Sequence, residues 1–317
     1  MESFVLILFA GCSLSPENAT KSSEIHVEDV RFDVPAAPER GFQWVMPDIE
    51  VPAFADQHTC IAGTYDGPDI GANQIETYQA DGYGHHLLVW TGEVDPDLYP
   101  DGAAFDCADP STMSGWLPIF IVHPDRSESG AVIASAMLPE GMGISLESGT
   151  RTITQVHYLN ASDHAIRTRD VVNVTSIPAE DVATWAAPWG DGLTDMPLTP
   201  GEATTLTFDC AWPKAVSLLT LFGHMHQHGS SFSVDHLAGD SSVRLMDIPE
   251  WDPTYRDTPP LTEWEMPGLP VAAGDVFRTS CTFYNDDDHE LNYPDEMCAS
   301  AGIAYPSKTP MFCNPSD

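Results

Sequence analysis

The stretch LFGHMHQHG, Leu221 to Gly229, sets His224, His226 and His228 at every second position behind an apolar run. Neutral imidazole is the commonest side-chain ligand for transition metals. On a β-strand successive side chains alternate faces, so this spacing predicts three imidazoles on one side, able to converge on a single ion. The same spacing also describes a strand that shows polar histidines to solvent. Three further features carry similar chemistry: His85-His86 in YGHHLLVWTG, His157 in TQVHYLN and Met297 in YPDEMCASAGIAYP. Singly each is weak, because a methionine is ordinarily core filler and adjacent histidines on a regular strand point to opposite faces. Together they form two ligand sets, His85, His86 and His157 in the first half of the chain and His224, His226 and Met297 in the second. A thioether is a soft ligand that selects Cu(I), so copper is the expected metal.

The elements that must position these residues read as strands. GHHLLVWTG (84–92), RTITQVHYLN (151–160), RDVVNVTSI (169–177), SLLTLFGHMH (217–226) and DVFRTSCTFYN (275–285) are rich in Val, Ile, Thr and Phe and are bounded by Gly, Pro and Asp. No long stretch has apolar residues at helical spacing, and 27 Pro with 23 Gly supply frequent turns. An all-β sandwich class is the result. At 317 residues the chain has room for two domains. A boundary near residue 178 is expected where a strand-like run gives way to a Pro-, Gly- and Asp-rich passage. That divides the chain into 41–177 and 178–317, with a polar, Pro-containing tether over 13–40.

With 48 acidic against 12 basic residues the formal net charge is -36. Such a surface repels phosphate backbones and anionic headgroups, so nucleic acid is not an expected partner. The opening MESFVLILFAGC resembles a bacterial lipoprotein signal over residues 1–12, with Cys12 as the lipidated residue, and an ordinary cleaved signal is the alternative. The run is shorter than the about 20 apolar residues a membrane span needs, so contact with a membrane is expected only through that anchor. Export to the bacterial cell envelope, lipid-anchored or periplasmic, is the expected localisation. Setting Cys12 apart leaves Cys60, Cys107, Cys210, Cys281, Cys298 and Cys313, an even number that suggests disulfides in an exported chain and leaves their connectivity open.

The chain resembles the copper type II, ascorbate-dependent monooxygenases, the family of peptidylglycine alpha-hydroxylating and dopamine beta-monooxygenases. The matching pieces are GHHLLVW, LPEGMG followed by TQVHY, the His-x-His of GHMHQHG, and CTFYN leading to DEMC, in the family's order across residues 60 to 313. The resemblance implies two consecutive jelly-roll-like β-sandwich domains with a copper site in each, two coppers per chain. His85, His86 and His157 would hold an electron-donating copper, with Gln155 helping to organise that site. His224, His226 and Met297 would hold the copper where oxygen binds and a substrate C–H bond is broken. Ascorbate would supply electrons, and the other partners would be O2 and a small organic substrate. The family's pattern also implies the pairs Cys60–Cys107, Cys210–Cys313 and Cys281–Cys298.

Peptide-amidating members grip a peptide carboxylate with an arginine two residues before the His-x-His and a tyrosine four after the methionine. Those positions are Phe222 and Ala301 here, so a glycine-ended peptide is not the expected substrate. Of the other histidines, His26, His58, His123, His164, His236 and His289 read mostly as surface or structural. His228 reads as a residue beside the ligands or in the cleft. Asp286-Asp287-Asp288 with His289 and Glu290 reads as a solvated turn, with a hard-cation site as the alternative. A copper-binding lipoprotein without turnover is the alternative function.

Overall fold

The molecule, described from a computed structural model, is seen over residues 26–92, 94–108, 116–120, 123–126, 131–256, 258–293 and 295–313. Cys12, the signal segment and residues 13–25 lie outside the described residues, and so does the side chain of Cys313.

Strands account for nearly all regular structure, as the β-branched and aromatic runs predict; the described helical pieces are single 3₁₀ turns at Ala179–Asp181 and Pro253–Arg256. Two of the expected strands coincide with observed ones, Gly84–Gly92 and Arg151–Asn160, and two shift by a residue or two, to Val171–Pro178 and Val276–Tyr284. The run 217–226 differs. It breaks at Leu219 into Val216–Leu218 and Thr220–His224, because Leu219 donates its N–H to Ile303 and accepts from Trp264. The second of these strands ends at His224, before His226 and His228.

Part of the stretch expected as a tether over 13–40 is built into the fold. Val27–Asp29 forms a strand that pairs in parallel with Ala165–Thr168, and Val30 packs against the core. Arg31, bonded to both Asp29 and Asp48, fastens the segment to the body.

The strands stack as sandwich-like layers around two main apolar clusters. The first is built mostly from the first half of the chain and includes Ile75, Leu87, Val156, Tyr158 and Ile166; the second includes Leu198, Phe232, Phe277 and Phe283 from the second half. One strand, Thr184–Gly192, belongs to both halves. Its Thr184–Ala186 end lies parallel to Met142–Ile144, while Ala187–Gly192 runs antiparallel to Ala299–Ala304. Ala186, Leu219 and Ile303 consequently pack in the first cluster, although they come after residue 178.

Candidate metal centre

Arg151–Asn160 is the central strand of a five-stranded sheet, flanked by Ala55–Thr64 on one side and Gly84–Gly92 on the other. Alternation turns Val156 and Tyr158, with Leu87 and Val89 beside them, into the sandwich core. The opposite face therefore carries Ile153, Gln155 and His157. On that face His157 stands level with His58 on one neighbour and His86 on the other. The result is three imidazoles abreast on adjacent strands, with nitrogens within 4.8 Å of one another.

His85 joins them through an irregularity. The pairing register shifts after His157, so that Tyr158 faces Gly84 and His85 is the extra residue of a β-bulge. A bulge places two consecutive side chains toward one side, which a regular strand forbids. His85 and His86 accordingly both lie against His157, with ring centroids 4.7 and 4.8 Å from it. The structure brings the rings of all three residues of the first expected set together, but the imidazoles whose nitrogens converge are His86, His157 and His58, the last stacking its ring on His157 at 3.8 Å.

The nitrogens are oriented as ligands would be. His157 Nε2 donates to Asp56 Oδ1 at 2.6 Å, which leaves the lone pair on Nδ1. That Nδ1 faces His86 Nδ1 at 3.4 Å. Metal–nitrogen bonds of ~2.0–2.1 Å in a tetrahedron separate neighbouring ligands by about 3.3 Å, so one cation fits between the two atoms. Burial, then the nearby His58 ring, pulls His157 down to about 4 against the opposing pull of Asp56. Burial, then His157, His58, His85 and the charge of Arg256, holds His86 well below the ordinary imidazole range. Both rings are neutral near pH 7, the form that binds metal.

The residues of the second set lie on two chain segments that meet at the end of a ladder. Thr220–His224 pairs antiparallel with Ala299–Tyr305, with His224 opposite Ala299. His226 Nδ1 donates to the Asp295 carbonyl at 2.9 Å, and the His224 and His226 rings lie 5.1 Å apart at 86°. The strand ends before His226, so a common strand face does not unite these residues. A buried carboxylate does so instead. Glu296 accepts the His226 N–H at 2.9 Å through Oε2 and the His228 N–H at 2.7 Å through Oε1, clamping the His-x-His turn to the segment carrying Met297. The Cys281–Cys298 disulfide ties the next residue to the strand Val276–Tyr284.

Trp251 closes the turn from outside by donating its Nε1–H to the His226 carbonyl at 3.1 Å. A side chain at Gly229 would lie 2.7 Å from both Met225 and Trp251, which is why glycine stands there. His228 is carried away from its two companions, toward Asp286 and Asp287.

Cys60–Cys107 and Cys281–Cys298 are bonded as the resemblance implied. Cys210 is also disulfide-bonded, while its expected partner Cys313 falls outside the described side chains. Disulfides in this number mark a chain that matures in an oxidising compartment, outside the cytosol.

No protein-family model matches the chain, and no curated protein matches it. Among solved structures the chain is similar to a "putative secreted protein" from Eubacterium rectale, at TM-score 0.21 and 7% identity over 83% of this chain and 75% of that one. It is similar also to the infectious bursal disease virus VP2 subviral particle, at TM-score 0.21 and 8% identity over 87% and 75% of the two chains. Likenesses this slight carry nothing about chemistry.

Sequence reasoning missed His58, Asp56 and Glu296. The first two lie in a short run, ADQHTC, whose facing cannot be read until its register with Arg151–Asn160 is known. The signal for Glu296 was its place beside Met297 in DEMC, an acidic residue between a candidate ligand and a cysteine.

Proposed function

We propose that the protein is an exported copper-dependent monooxygenase that hydroxylates a C–H bond of a small organic substrate, using O2 and ascorbate or a similar reductant. The observation that carries the reading is the pair of facing Nδ1 atoms of His86 and His157, one of them fixed by a carboxylate at its other nitrogen. Imidazoles so held are the ligand–carboxylate arrangement of metal sites.

In this reading His85, His86 and His157 hold one copper, with His58 at its edge and Asp56 setting the tautomer of His157. His224, His226 and Met297 hold the other, where the soft thioether favours the reduced ion. Copper bound there would supply the one-electron and oxygen chemistry that no side chain can perform. The chain contributes placement: the bulge turns His85 and His86 to one side, and Glu296 with Cys281–Cys298 ties the segment carrying Met297 to the turn carrying His226. Phe222 and Ala301 are directly cross-strand and Phe222 is buried, so these positions offer no charged grip for a peptide carboxylate. A small, weakly charged substrate fits better. Lipid anchoring at Cys12 in a bacterial envelope completes the reading.

The test is copper stoichiometry of the exported, disulfide-intact protein, followed in the same sample by ascorbate-dependent oxygen uptake. Two coppers per chain with uptake support the monooxygenase. Two without uptake across a substrate screen favour a copper-binding lipoprotein, and fewer than two refute the paired sites. Met297→Ala separates the roles: oxygen uptake should collapse while the three-histidine site keeps its copper.

A further inference from the structure

The resemblance leaves His228 without a task, and its surroundings are unusual for an idle histidine. The residue is 6% exposed, and its backbone is fixed at both ends: its N–H is bound by Glu296, and its carbonyl accepts the Tyr284 N–H at 2.9 Å. The ring Nδ1 lies 3.1 Å from Glu296 Oε1. On the other side, Nε2 faces Asp287 Oδ2 at 3.3 Å and Asp286 Oδ1 at 3.5 Å, and makes an aligned hydrogen bond with neither.

Those two separations are long for a charge-assisted hydrogen bond, which closes to about 2.7–2.9 Å. They match the edge between neighbouring ligands of a divalent ion held at ~2.0–2.2 Å. Nor do the aspartates sit there because the histidine draws them in. Asn285, fully buried, donates to the Leu198 and His289 carbonyls at 2.8 and 2.9 Å and accepts the Asp287 N–H at 3.0 Å, so the loop is shaped from beneath. Among the described residues no Lys or Arg pairs with Asp286, Asp287 or Glu296. Three carboxyl groups thus surround one ring. A ring aimed outward through Nε2 with a carboxylate behind Nδ1 is how metal-ligating histidines are commonly oriented.

We propose that His228 Nε2, Asp286 and Asp287 form a third cation site, for a divalent ion of the manganese–zinc class, with Glu296 orienting the histidine. One imidazole with two carboxylates is a hard-to-borderline donor set. It differs from the all-imidazole and imidazole–thioether sets and disfavours Cu(I). Asp286 is 73% exposed, which leaves the ion a path from solvent. Because Glu296 also clamps the turn bearing His226, an ion here would brace the neighbouring ligand set from its far side.

The probe is Mn2+, whose signal in electron paramagnetic resonance vanishes on binding and which imidazole–thioether sites hold poorly. Chelator-treated, disulfide-intact protein should bind one equivalent of Mn2+, displaceable by Zn2+. Asp286→Asn/Asp287→Asn should weaken binding at least tenfold, while Met297→Ala should leave it unchanged. A matching unfolding midpoint would show that the double variant is folded, and Asp287→Asn alone gives the same reading if it is not. No Mn2+ bound by the parent protein, or equal binding by parent and variants, would overturn the site and leave the group an ion pair around an imidazolium. Mn2+ binding at His228 is independent of copper binding, and each can fail without the other.

Discussion

Removing Glu296 should damage the molecule more than its surface-like residue type suggests. The carboxylate is fully buried and accepts three times: from the His226 N–H, the His228 N–H and His228 Nδ1. Glu296→Ala deletes these contacts and strands two main-chain donors. Each stranded buried donor costs about 1–3 kcal/mol. Relief of the carboxylate's own desolvation offsets part of this, so a net loss of about 3–5 kcal/mol is expected, the range for breaking a buried charged pair. Glu296→Gln keeps one acceptor oxygen but turns an amide NH2 toward one of the main-chain donors, which sets its loss lower, at about 2 kcal/mol. Urea unfolding of metal-free, disulfide-intact protein measures both, with equal slopes required for the comparison. A Glu296→Ala midpoint corresponding to under about 0.5 kcal/mol would refute the clamp, because surface substitutions fall within that range.

Asp56→Asn, by loosening the tautomer of His157, should weaken copper at the three-histidine site about 10–100-fold in a chelator competition and spare the other site; equal affinity would remove Asp56 from the site. Burial raises Asp170 to about 7 against the opposing hydrogen bond from the Tyr158 hydroxyl. A carboxyl raised on folding binds a proton that the unfolded chain releases, so it contributes stability at acid pH that is lost as pH rises through about 7. The stability of Asp170→Asn relative to the parent should therefore improve from about pH 5 to about pH 8, and a constant difference would contradict the buried carboxyl. The Cys281–Cys298 bond spans 17 residues, and replacing both cysteines by serine should cost about 3 kcal/mol in thermal or urea unfolding. The same variant should release copper from the methionine site first; equal release from both sites would separate the disulfide from that site.

The all-β class was legible because local composition decides it: Gly84–Gly92 and Arg151–Asn160 begin and end where the Val, Ile and Thr runs meet turn residues. The candidate ligands were legible as types and spacings. Their placement was not, because it depends on register. Strand alternation predicted His224, His226 and His228 on one face, yet the ladder stops at His224, and a buried glutamate far along the chain shapes the turn from His226 to His228. Alternation also predicted His85 and His86 on opposite faces, and a bulge overrode it. His58 became a neighbour of His157 only through the pairing of two strands about a hundred residues apart, which no local pattern encodes. The strand at Val27–Asp29 likewise depends on a distant partner, Ala165–Thr168.

The strand Thr184–Gly192 bears on how the molecule tolerates being cut. Severing the chain near residue 178 would strip Met142–Ile144 of its parallel neighbour and leave Ala299–Ala304 as part of a half whose shared strand has lost the partner at its first three residues. Each fragment would then present a bare sheet margin of unpaired N–H and C=O groups, the kind of margin that recruits other chains. Separately expressed halves are thus poor reagents, whereas co-expressed halves could zip back along that seam. The seam is also a joint without a loop: the strand changes partner between Ala186 and Ala187, and Ala186, Leu219 and Ile303 pack into the first cluster, so continuous strand and shared core, not a flexible linker, join the two halves.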